Sequence, residues 1–357
     1  AYLLLDIGTL VRPDGSIPYL CVLLFLIYAQ PRLRKKNLAI GGGILVGALV
    51  SQTAFRLAYY GEFFPNSYYL KLTGYPLILR LTRGAYVASV FICQLNCILF
   101  VLPLLYARIV KQKQAYLLAW VLIVQVAYSI YVGGDAWESW GGSNRYIAIA
   151  MPCFFILFSQ SLSFFGSSIR ETLGKIPNAA FRDYIKRHEK SIRTVVIILC
   201  LLNFNAIYGP SAFPEWLLLK RPLHTDRNEK MVERALVLGR ITKPQARCVV
   251  VWDGAIPYFC DRYYISILGK NDSKIAREPM RTFSGPKKIV AFYPGHLKWD
   301  YSYSIGQLKP DVVCQLWKET EVALKYLYPA YRSVNVGGFN FFVRKDSRNL
   351  KIEQMHG

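Results

Sequence analysis

The sequence lacks the patterns that identify several large classes of enzyme. It contains no P-loop, no ordering of Ser, His and Asp that is typical of a hydrolase triad, and no spacing of Cys and His that is typical of a zinc site. No internal repeat, low-complexity segment or signal peptide is visible either. These absences argue against P-loop nucleotide hydrolases, triad hydrolases and zinc enzymes.

Acidic residues are scarce. The chain has 22 Asp and Glu against 44 Lys and Arg, which leaves a formal net charge of +22. Such a charge is compatible with nucleic-acid binding, but no groove-reading motif is present, and much of the positive charge lies in short loops between apolar segments. Because the positive-inside rule of membrane proteins accounts for this distribution better, we predict membrane lipids, and no nucleic acid, among the partners.

Apolar residues are abundant and lie in blocks. They make up 53% of the 357 residues, and the mean hydropathy is +0.24. Four of the six blocks approach or exceed the length of about 20 residues that crosses a bilayer, while the first and the last are short for a full crossing unless they extend into their flanks. They are found at 17–30, 38–58, 85–107, 115–132, 146–165 and 194–208. We therefore predict an α-helical polytopic membrane protein with about six spans.

Basic residues cluster in three of the connections between these segments. They lie at 32–36, 108–113 and 170–193, which the positive-inside rule places in the cytoplasm. The connections at 59–84 and 133–145, together with the C-terminal part of the chain, then face outward. This orientation is consistent across all six segments.

The composition changes after residue 208. We therefore predict a transmembrane domain at 1–208 and an extracytoplasmic α/β domain at 209–357, in which strands alternate with short helices. A helix is expected at 231–240, strands at 247–252, 263–268, 288–292 and 311–316, and a hairpin with Gly337-Gly338 at its turn at 334–343.

Eight cysteines are spread over both predicted domains. Five of them lie in apolar segments, where they behave as small apolar residues. The other three are Cys248, Cys260 and Cys314, and an extracytoplasmic location would allow one disulfide among them. The sequence leaves the pair open.

The chain begins at Ala1 with YLLLDIGTLVRPDG, which is typical of the end of a helix. We therefore expect a fragment that further membrane helices precede. Its last four residues, RPDG at 12–15, form a charged turn on the predicted outward side. Arg12 and Asp14 cost energy at this depth unless they are paired or used, so they are candidates for a binding role. A turn that is only self-paired is the alternative.

The loop YVGGDAWESWGGSNRY at 131–146 carries far more chemistry than a link between two helices needs. Asp135 and Glu138 are candidate catalytic groups, as a base or as hydrogen-bond acceptors, and Arg145 is a candidate bidentate clamp for a phosphate. The alternative is an interfacial loop in which Asp135 pairs with Arg145 for structure alone.

The loop YYGEFFPNSYYLK at 59–71 places Glu62, Asn66 and Lys71 among six aromatic residues. Lys71 suits an anion, Asn66 suits hydroxyl groups, and an aromatic face suits a sugar ring. The alternative is an aromatic belt with Lys71 reaching to lipid headgroups.

A fourth stretch, YPGHLKWD at 293–300, lies in the predicted C-terminal domain and concentrates His296, Lys298 and Asp300. His296 is a candidate substrate-binding residue. A surface loop without a binding role is the alternative.

With these motifs the chain resembles the polytopic GT-C class of glycosyltransferases, and within it the terminal arabinofuranosyltransferase type and its uncharacterised bacterial relatives. RPDG at 12–15, YYGEFFPNSYYLK at 59–71 and VGGD at 132–135 carry the resemblance. DGAIPYF at 253–259, LGKND at 268–272 and GHLKWD at 295–300 carry it more weakly. The chain departs from the family in a longer insert between Asp135 and Arg145.

The resemblance implies a glycosyltransferase of the bacterial plasma membrane. It would move a sugar from a polyprenyl phosphate carrier to a glycan or lipid acceptor of the cell envelope, on the outer face. The general base would lie upstream of Ala1, which would leave this fragment inactive. No cofactor is implied with certainty, and a divalent cation is compatible with the reaction.

Under this hypothesis Lys71 and Arg145 hold the donor phosphate, and Asp135 and Asn66 orient the sugar or acceptor hydroxyls. Arg12 and Asp14 shape the pocket wall, and Glu62 and His296 are further candidate substrate-binding residues. Rival hypotheses are a transporter or flippase for lipid-linked sugars, which would show inverted repeats and broken helices, and a non-catalytic membrane scaffold.

Overall fold

A computed structural model of the chain describes residues 1–136, 144–174, 179–206, 215, 217–222, 224–281, 289–351 and 353. The chain divides into two compact units. Unit 1 consists of Ala1–Phe63 and Leu77–Pro214, and unit 2 of Phe64–Pro76 and Glu215–Gly357. Residues 64–76 thus belong with the C-terminal part of the chain, although both of their flanking segments belong to unit 1.

The structure is mostly helical. The α-helices are α1 Tyr2–Val11, α2 Ser16–Ala29, α3 Arg34–Asn37, α4 Gly43–Tyr60, α5 Asn66–Lys71, α6 Leu77–Gln94, α7 Cys97–Val110, α8 Lys113–Val132, α9 Arg145–Ala148, α10 Met151–Gly174, α11 Ala179–Ala206, α12 Thr225–Ile241, α13 Ala255–Cys260, α14 Ser273–Arg277 and α15 Thr320–Ala330. Short 3-10 turns lie at Pro13–Gly15 and Pro31–Leu33, and π turns at Leu38–Gly42 and Ser302–Gln307.

Three helical stretches of the described residues are long and apolar enough to cross a membrane. They are Pro31–Tyr60, Leu77–Gln94 and Lys113–Val132. Shorter apolar helices lie at Tyr2–Val11, Pro13–Ala29 and Cys97–Val110. A helix as apolar as these is expected to bury its surface in protein or in lipid.

The single span predicted at 85–107 is wrong, because the segment contains two helices. The break lies at Asn96, whose φ is 76° and whose side-chain oxygen accepts a hydrogen bond from the backbone N–H of Ile98 at 3.0 Å. Asparagine adopts positive φ and caps helices more readily than its apolar neighbours do. One polar residue therefore ends α6 and starts α7.

Helix α8 lies at the centre of unit 1, where it packs against α2, α6, α7 and α10. Its approach to α6 is very close, since a Cβ added at Gly84 would overlap the carbonyl oxygen of Ile130. Only glycine allows backbones to approach this closely. The contact positions the C-terminal end of α8, from which the loop after Val132 leaves.

Unit 2 contains a five-stranded sheet in the order β2-β1-β3-β5-β4. The strands are β1 Arg247–Val250, β2 Tyr263–Ser266, β3 Val312–Val313, β4 Tyr331–Val336 and β5 Phe339–Arg344. The first three are parallel, with Val249 opposite Ile265 on one side and Val313 on the other, and the hairpin β4–β5 is antiparallel. Gly337 and Gly338, at φ 57° and 78°, make the tight turn of the predicted hairpin.

Most of the predicted elements of unit 2 are confirmed, with two differences. The strand predicted at 288–292 is wrong: residue 288 lies outside the described residues, and Phe292 N donates to Ile289 O, which closes a turn. The strand predicted at 311–316 is shortened to Val312–Val313, because the side chain of Gln315 takes the backbone donors of Val251 and Trp252.

The three C-terminal cysteines lie in the buried core of unit 2. Cys248, Cys260 and Cys314 are all buried and all free thiols. The disulfide considered from the sequence is therefore not formed in this structure.

Candidate functional site

Asp135 and Arg145 form a bidentate ion pair in unit 1. Arg145 Nε donates to Asp135 Oδ2 at 2.6 Å, and Arg145 Nη2 donates to Asp135 Oδ1 at 2.6 Å. The backbone N–H groups of Arg145 and Ala136 also donate to this carboxylate, at 3.2 Å and 2.8 Å. The carboxylate is thus held from four directions.

The two members of this pair differ in exposure. The Asp135 side chain is 1% exposed and that of Arg145 is 51% exposed. Burial alone would raise the pKa of Asp135, but the hydrogen bonds and the charge of Arg145 outweigh it and hold this pKa below its ordinary value. Asp135 therefore stays ionised and anchors an arginine that reaches the surface of its unit.

The backbone around the pair is fixed by glycine and asparagine. Gly133 and Gly134, at φ 90° and 78°, end α8 in the left-handed region. Asn144 then caps α9, since its side-chain oxygen accepts from the N–H groups of Tyr146 and Ile147, while its amide donates to the buried hydroxyl of Ser129 at 2.9 Å. Both ends of the loop are therefore tied to α8 and α9.

Arg12 and Asp14 form a second pair of the same kind. Arg12 Nε and Nη2 donate to the two carboxylate oxygens of Asp14 at 2.9 Å and 2.6 Å. The Asp14 side chain is 6% exposed and that of Arg12 is 39% exposed. Again a buried carboxylate holds an arginine that is partly open.

The two pairs lie close to each other. The guanidinium carbon of Arg12 lies 6.0 Å from the ring centroid of Tyr146, the residue after Arg145. The pKa of Arg145 is raised first by its bonds to Asp135 and also by the charge of Asp14. Within unit 1 the fold thus brings together the RPDG turn and the end of the 131–146 loop, which lie far apart in the sequence.

Two other candidates of unit 1 contribute less to this picture. Glu138 lies outside the described residues, within the segment 137–143. Glu62 follows α4, where its N–H lies 3.5 Å from the carbonyl oxygen of Arg56.

Arg80 is a buried charge that our sequence reasoning missed. It lies on α6 at 7% exposure, and its Nη1 donates a long hydrogen bond of 3.3 Å to the carbonyl oxygen of Tyr131. Its guanidinium lies 5.0 Å from the Tyr131 ring, which gives a cation–π contact. The signal that could have found it is an arginine within the first turn of an apolar helix.

Asn66 lies in unit 2 and binds the loop that follows β2. Its amide donates to the carbonyl oxygens of Gly269 and Lys270 at 2.8 Å and 2.9 Å. Both donors of this amide are therefore used within unit 2, in contacts with the LGKND stretch.

Lys71 also meets the C-terminal part of unit 2. A Cβ added at Gly295 would lie 3.3 Å from Lys71 Cγ, so the lysine stem passes over the glycine of the GHLKWD stretch. The fold therefore brings together three stretches of the family resemblance, of which two belong to its weaker part.

His296 lies next to two tryptophans. Its ring centroid is 6.0 Å from that of Trp252 and 6.2 Å from that of Trp317, and the Trp317 indole N–H donates to the His296 carbonyl at 3.1 Å. Sequence reasoning selected His296 but neither tryptophan, because no local pattern joins residues that lie 65 positions apart.

A metal site has little support from geometry. Within the described ranges, no three side chains of His, Cys, Asp or Glu come close enough to hold an ion. The charged side chains that do converge are arginines and aspartates, which form ion pairs.

Comparison of the chain with models of protein families, with curated proteins and with solved structures found no match in any of the three. The family resemblance described above therefore stays a prediction that rests on its motifs.

Proposed function

We propose that the chain is part of a membrane glycosyltransferase that takes a sugar from a polyprenyl phosphate carrier and passes it to a glycan or lipid of the cell envelope. Its apolar helices cross the plasma membrane, and unit 2 lies on the extracytoplasmic side. The acceptor hydroxyl attacks the anomeric carbon of the sugar, the bond to the phosphate oxygen breaks, and polyprenyl phosphate leaves. The acceptor proton goes to a general base other than Asp135, whose pKa lies below its ordinary value.

The observation that carries the proposal is the pair of arginines of unit 1. Arg12 lies against the ring of Tyr146, the residue after Arg145. Each of the two arginines is oriented by a buried carboxylate that uses its Nε and Nη2. Among the described residues, no hydrogen bond is found for Nη1 of either arginine. Arginine donors that are held in place in this way suit a phosphate group, because little side-chain entropy is lost on binding.

Asp135 acts as a positioning residue in this scheme. Its two oxygens already accept four hydrogen bonds, and its pKa lies below the ordinary value. A carboxylate in this state is a poor proton acceptor. Its contribution is to hold Arg145 at the angle that the donor phosphate requires. Lys71, whose stem packs on Gly295 within unit 2, stays a proposed anion ligand that is tested separately.

The test uses the full-length protein in membrane vesicles, with undecaprenyl phosphate that carries a radiolabelled hexose or pentose. Arg145→Ala is expected to lower transfer by about tenfold to a hundredfold, the effect of losing a hydrogen bond to a charged group. Lys71→Ala is expected to weaken use of the donor in the same way. Arg108→Ala, at an exposed position near the end of α7, is the control and keeps full activity.

Asp135→Asn tests the positioning role. Because Asp135 acts through Arg145, the double variant with Arg145→Ala should lose no more activity than Arg145→Ala alone. The loss in Asp135→Asn should appear mainly as a higher KM for the donor. Full transfer activity in both Arg145→Ala and Lys71→Ala would contradict the proposal, and movement of the lipid-linked sugar across the vesicle without transfer would favour the transporter instead.

A further inference from the structure

The parallel strands of unit 2 change direction of connection at β1. Strand β1 lies between β2 and β3 in the sheet. The chain passes from β1 to β2 on one edge of β1 and then returns to form β3 on its other edge. At such a change of direction the connections leave β1 and β3 toward opposite faces of the sheet. Open α/β sheets bind ligands at the carboxyl edge of this point.

Two tryptophans lie at this edge. Trp252 follows β1 and Trp317 follows β3, and their rings meet edge to face with centroids 5.4 Å apart. The Oε1 of Gln315 accepts hydrogen bonds from the N–H groups of Val251 and Trp252 at 3.1 Å and 3.2 Å. The backbone that carries Trp252 is thus fixed, while its side chain stays 40% exposed.

A carboxylate lies next to the exposed ring. Asp253 Oδ2 accepts a hydrogen bond of 2.7 Å from Ser266 Oγ at the end of β2. Asp253 Oδ1 is buried and has no hydrogen-bond partner within the described part of the chain. An acceptor in this state is costly unless a donor reaches it, so it points to a ligand or a water that brings one.

The surroundings of Asp253 are open and aromatic. The depression beside it is lined by Asp253, Gly254, Ala255, Pro257, Tyr258 and Phe259. Tyr258 and Phe259 are both exposed, and their rings contact each other edge to face with centroids 5.0 Å apart. The ammonium of Lys270 lies 5.2 Å from the Trp252 ring. The ammonium of Lys318 lies 6.0 Å from the Trp317 ring, so each of the two tryptophans has a lysine beside it.

We propose that this edge, formed by Trp252, Asp253, Ser266, His296 and Trp317, binds a neutral glycan. The exposed ring of Trp252 packs on the apolar face of a sugar ring, and the Asp253 carboxylate accepts hydrogen bonds from sugar hydroxyls. Flat aromatic faces beside a few fixed polar groups are what a polyhydroxylated ring requires. The open acceptor Asp253 Oδ1 favours sugar hydroxyls over a phosphate group, because hydroxyls donate hydrogen bonds and an ionised phosphate only accepts them.

Binding to this edge is separate from sugar transfer, so it is measured on the full chain in detergent without any lipid-linked donor. The probes are neutral tri- to hexasaccharides of hexopyranose or pentofuranose units, and saturation-transfer NMR and calorimetry report binding. Wild-type protein should bind at least one of them saturably. Trp252→Ala should weaken that binding by about tenfold or more, the effect of losing one stacked ring.

Two further variants separate binding from folding. Trp252→Phe retains a flat ring and should stay within about threefold of wild type, while Asp253→Asn should weaken binding with its fold intact. Tyr328→Ala removes an exposed aromatic of α15 and is the control that binds normally. Circular dichroism checks that each variant is folded.

Three results would overturn the proposal. These are no saturable binding of any of the oligosaccharides to wild type, equal affinity in wild type and Trp252→Ala, or binding of adenosine monophosphate in preference to the sugars. Because no donor is present, none of these results bears on the transfer activity proposed for unit 1.

Discussion

Lys298 donates a hydrogen bond of 2.9 Å to the backbone carbonyl of Tyr69, which lies 229 positions earlier in the chain. The same ammonium donates to the carbonyl oxygens of Thr73 and Ala276 at 2.8 Å and 2.7 Å. Lys298 is completely buried. All three protons of the ammonium therefore serve to join the segment 64–76 to the rest of unit 2.

The first prediction concerns this joint. Lys298→Met keeps most of the volume but leaves three carbonyl groups without their donor, which costs about 1–3 kcal/mol for each buried group that stays unsatisfied. Hydrogen exchange followed by mass spectrometry should show faster exchange in residues 64–76 of this variant. Lys325→Met, at an exposed position of α15, is the control. Equal exchange in both variants would mean that Lys298 does not hold the segment.

The second prediction concerns pH. Burial lowers the pKa of Lys298 from its ordinary 10.5 to about 8 in the folded protein. Between these two values the unfolded chain binds more protons at this position than the folded chain does, so the free energy of unfolding rises with pH. Relative to Lys298→Met, the wild-type Tm should therefore increase from pH 8 to pH 10. A difference that stays flat or falls over this range would contradict the assigned pKa.

The third prediction concerns Asn66, whose amide donates to the carbonyls of Gly269 and Lys270. Asn66→Asp has the same shape but places a negative charge against two carbonyl oxygens. We expect it to destabilise the protein by about 1–3 kcal/mol and by more than Asn66→Ala does. Chemical denaturation in detergent measures both. Asn271→Asp, at an exposed position nearby, should have little effect, and an equally large loss there would point to a general effect of charge.

The fourth prediction compares two glycines of unit 1. Gly84→Ala would place a methyl group on the carbonyl oxygen of Ile130 and force α6 away from α8. Gly47→Ala, in the middle of α4, meets nothing within 4 Å. We expect a clearly lower Tm for Gly84→Ala, and for Gly47→Ala a small gain of up to about 1 kcal/mol, because alanine favours helix. Similar Tm values for both variants would show that the close approach is unimportant.

The local patterns of the sequence predicted several elements well. The hairpin at 334–343 follows from two glycines between β-branched and aromatic residues, and its turn requires positive φ at both positions. Helix α12 contains the helix expected at 231–240 and extends beyond it in both directions. The pairing of Arg12 with Asp14 is also local, since only Pro13 separates them in one turn.

Other features were missed because they depend on contacts between distant residues. The carboxylate at 135 and the arginine at 145 were both selected, but the sequence left open whether they would pair or serve a ligand. The structure shows them paired. The assignment of residues 64–76 to unit 2 depends on Asn66 and Lys298, whose partners lie more than 200 positions away.

What the sequence determined by itself is therefore the class of local structure: apolar helices with basic connections, a C-terminal sheet and a set of charged turns. These follow from hydropathy, backbone preference and turn chemistry, which act over a few residues. The tertiary structure alone decided which of those turns contact each other and which N–H groups of Arg12 and Arg145 bind a carboxylate. Trp252 and Trp317 lie side by side only because β1 and β3 are neighbours in the sheet. The order of strands is set by the packing of the whole unit, and no stretch of a few residues encodes it.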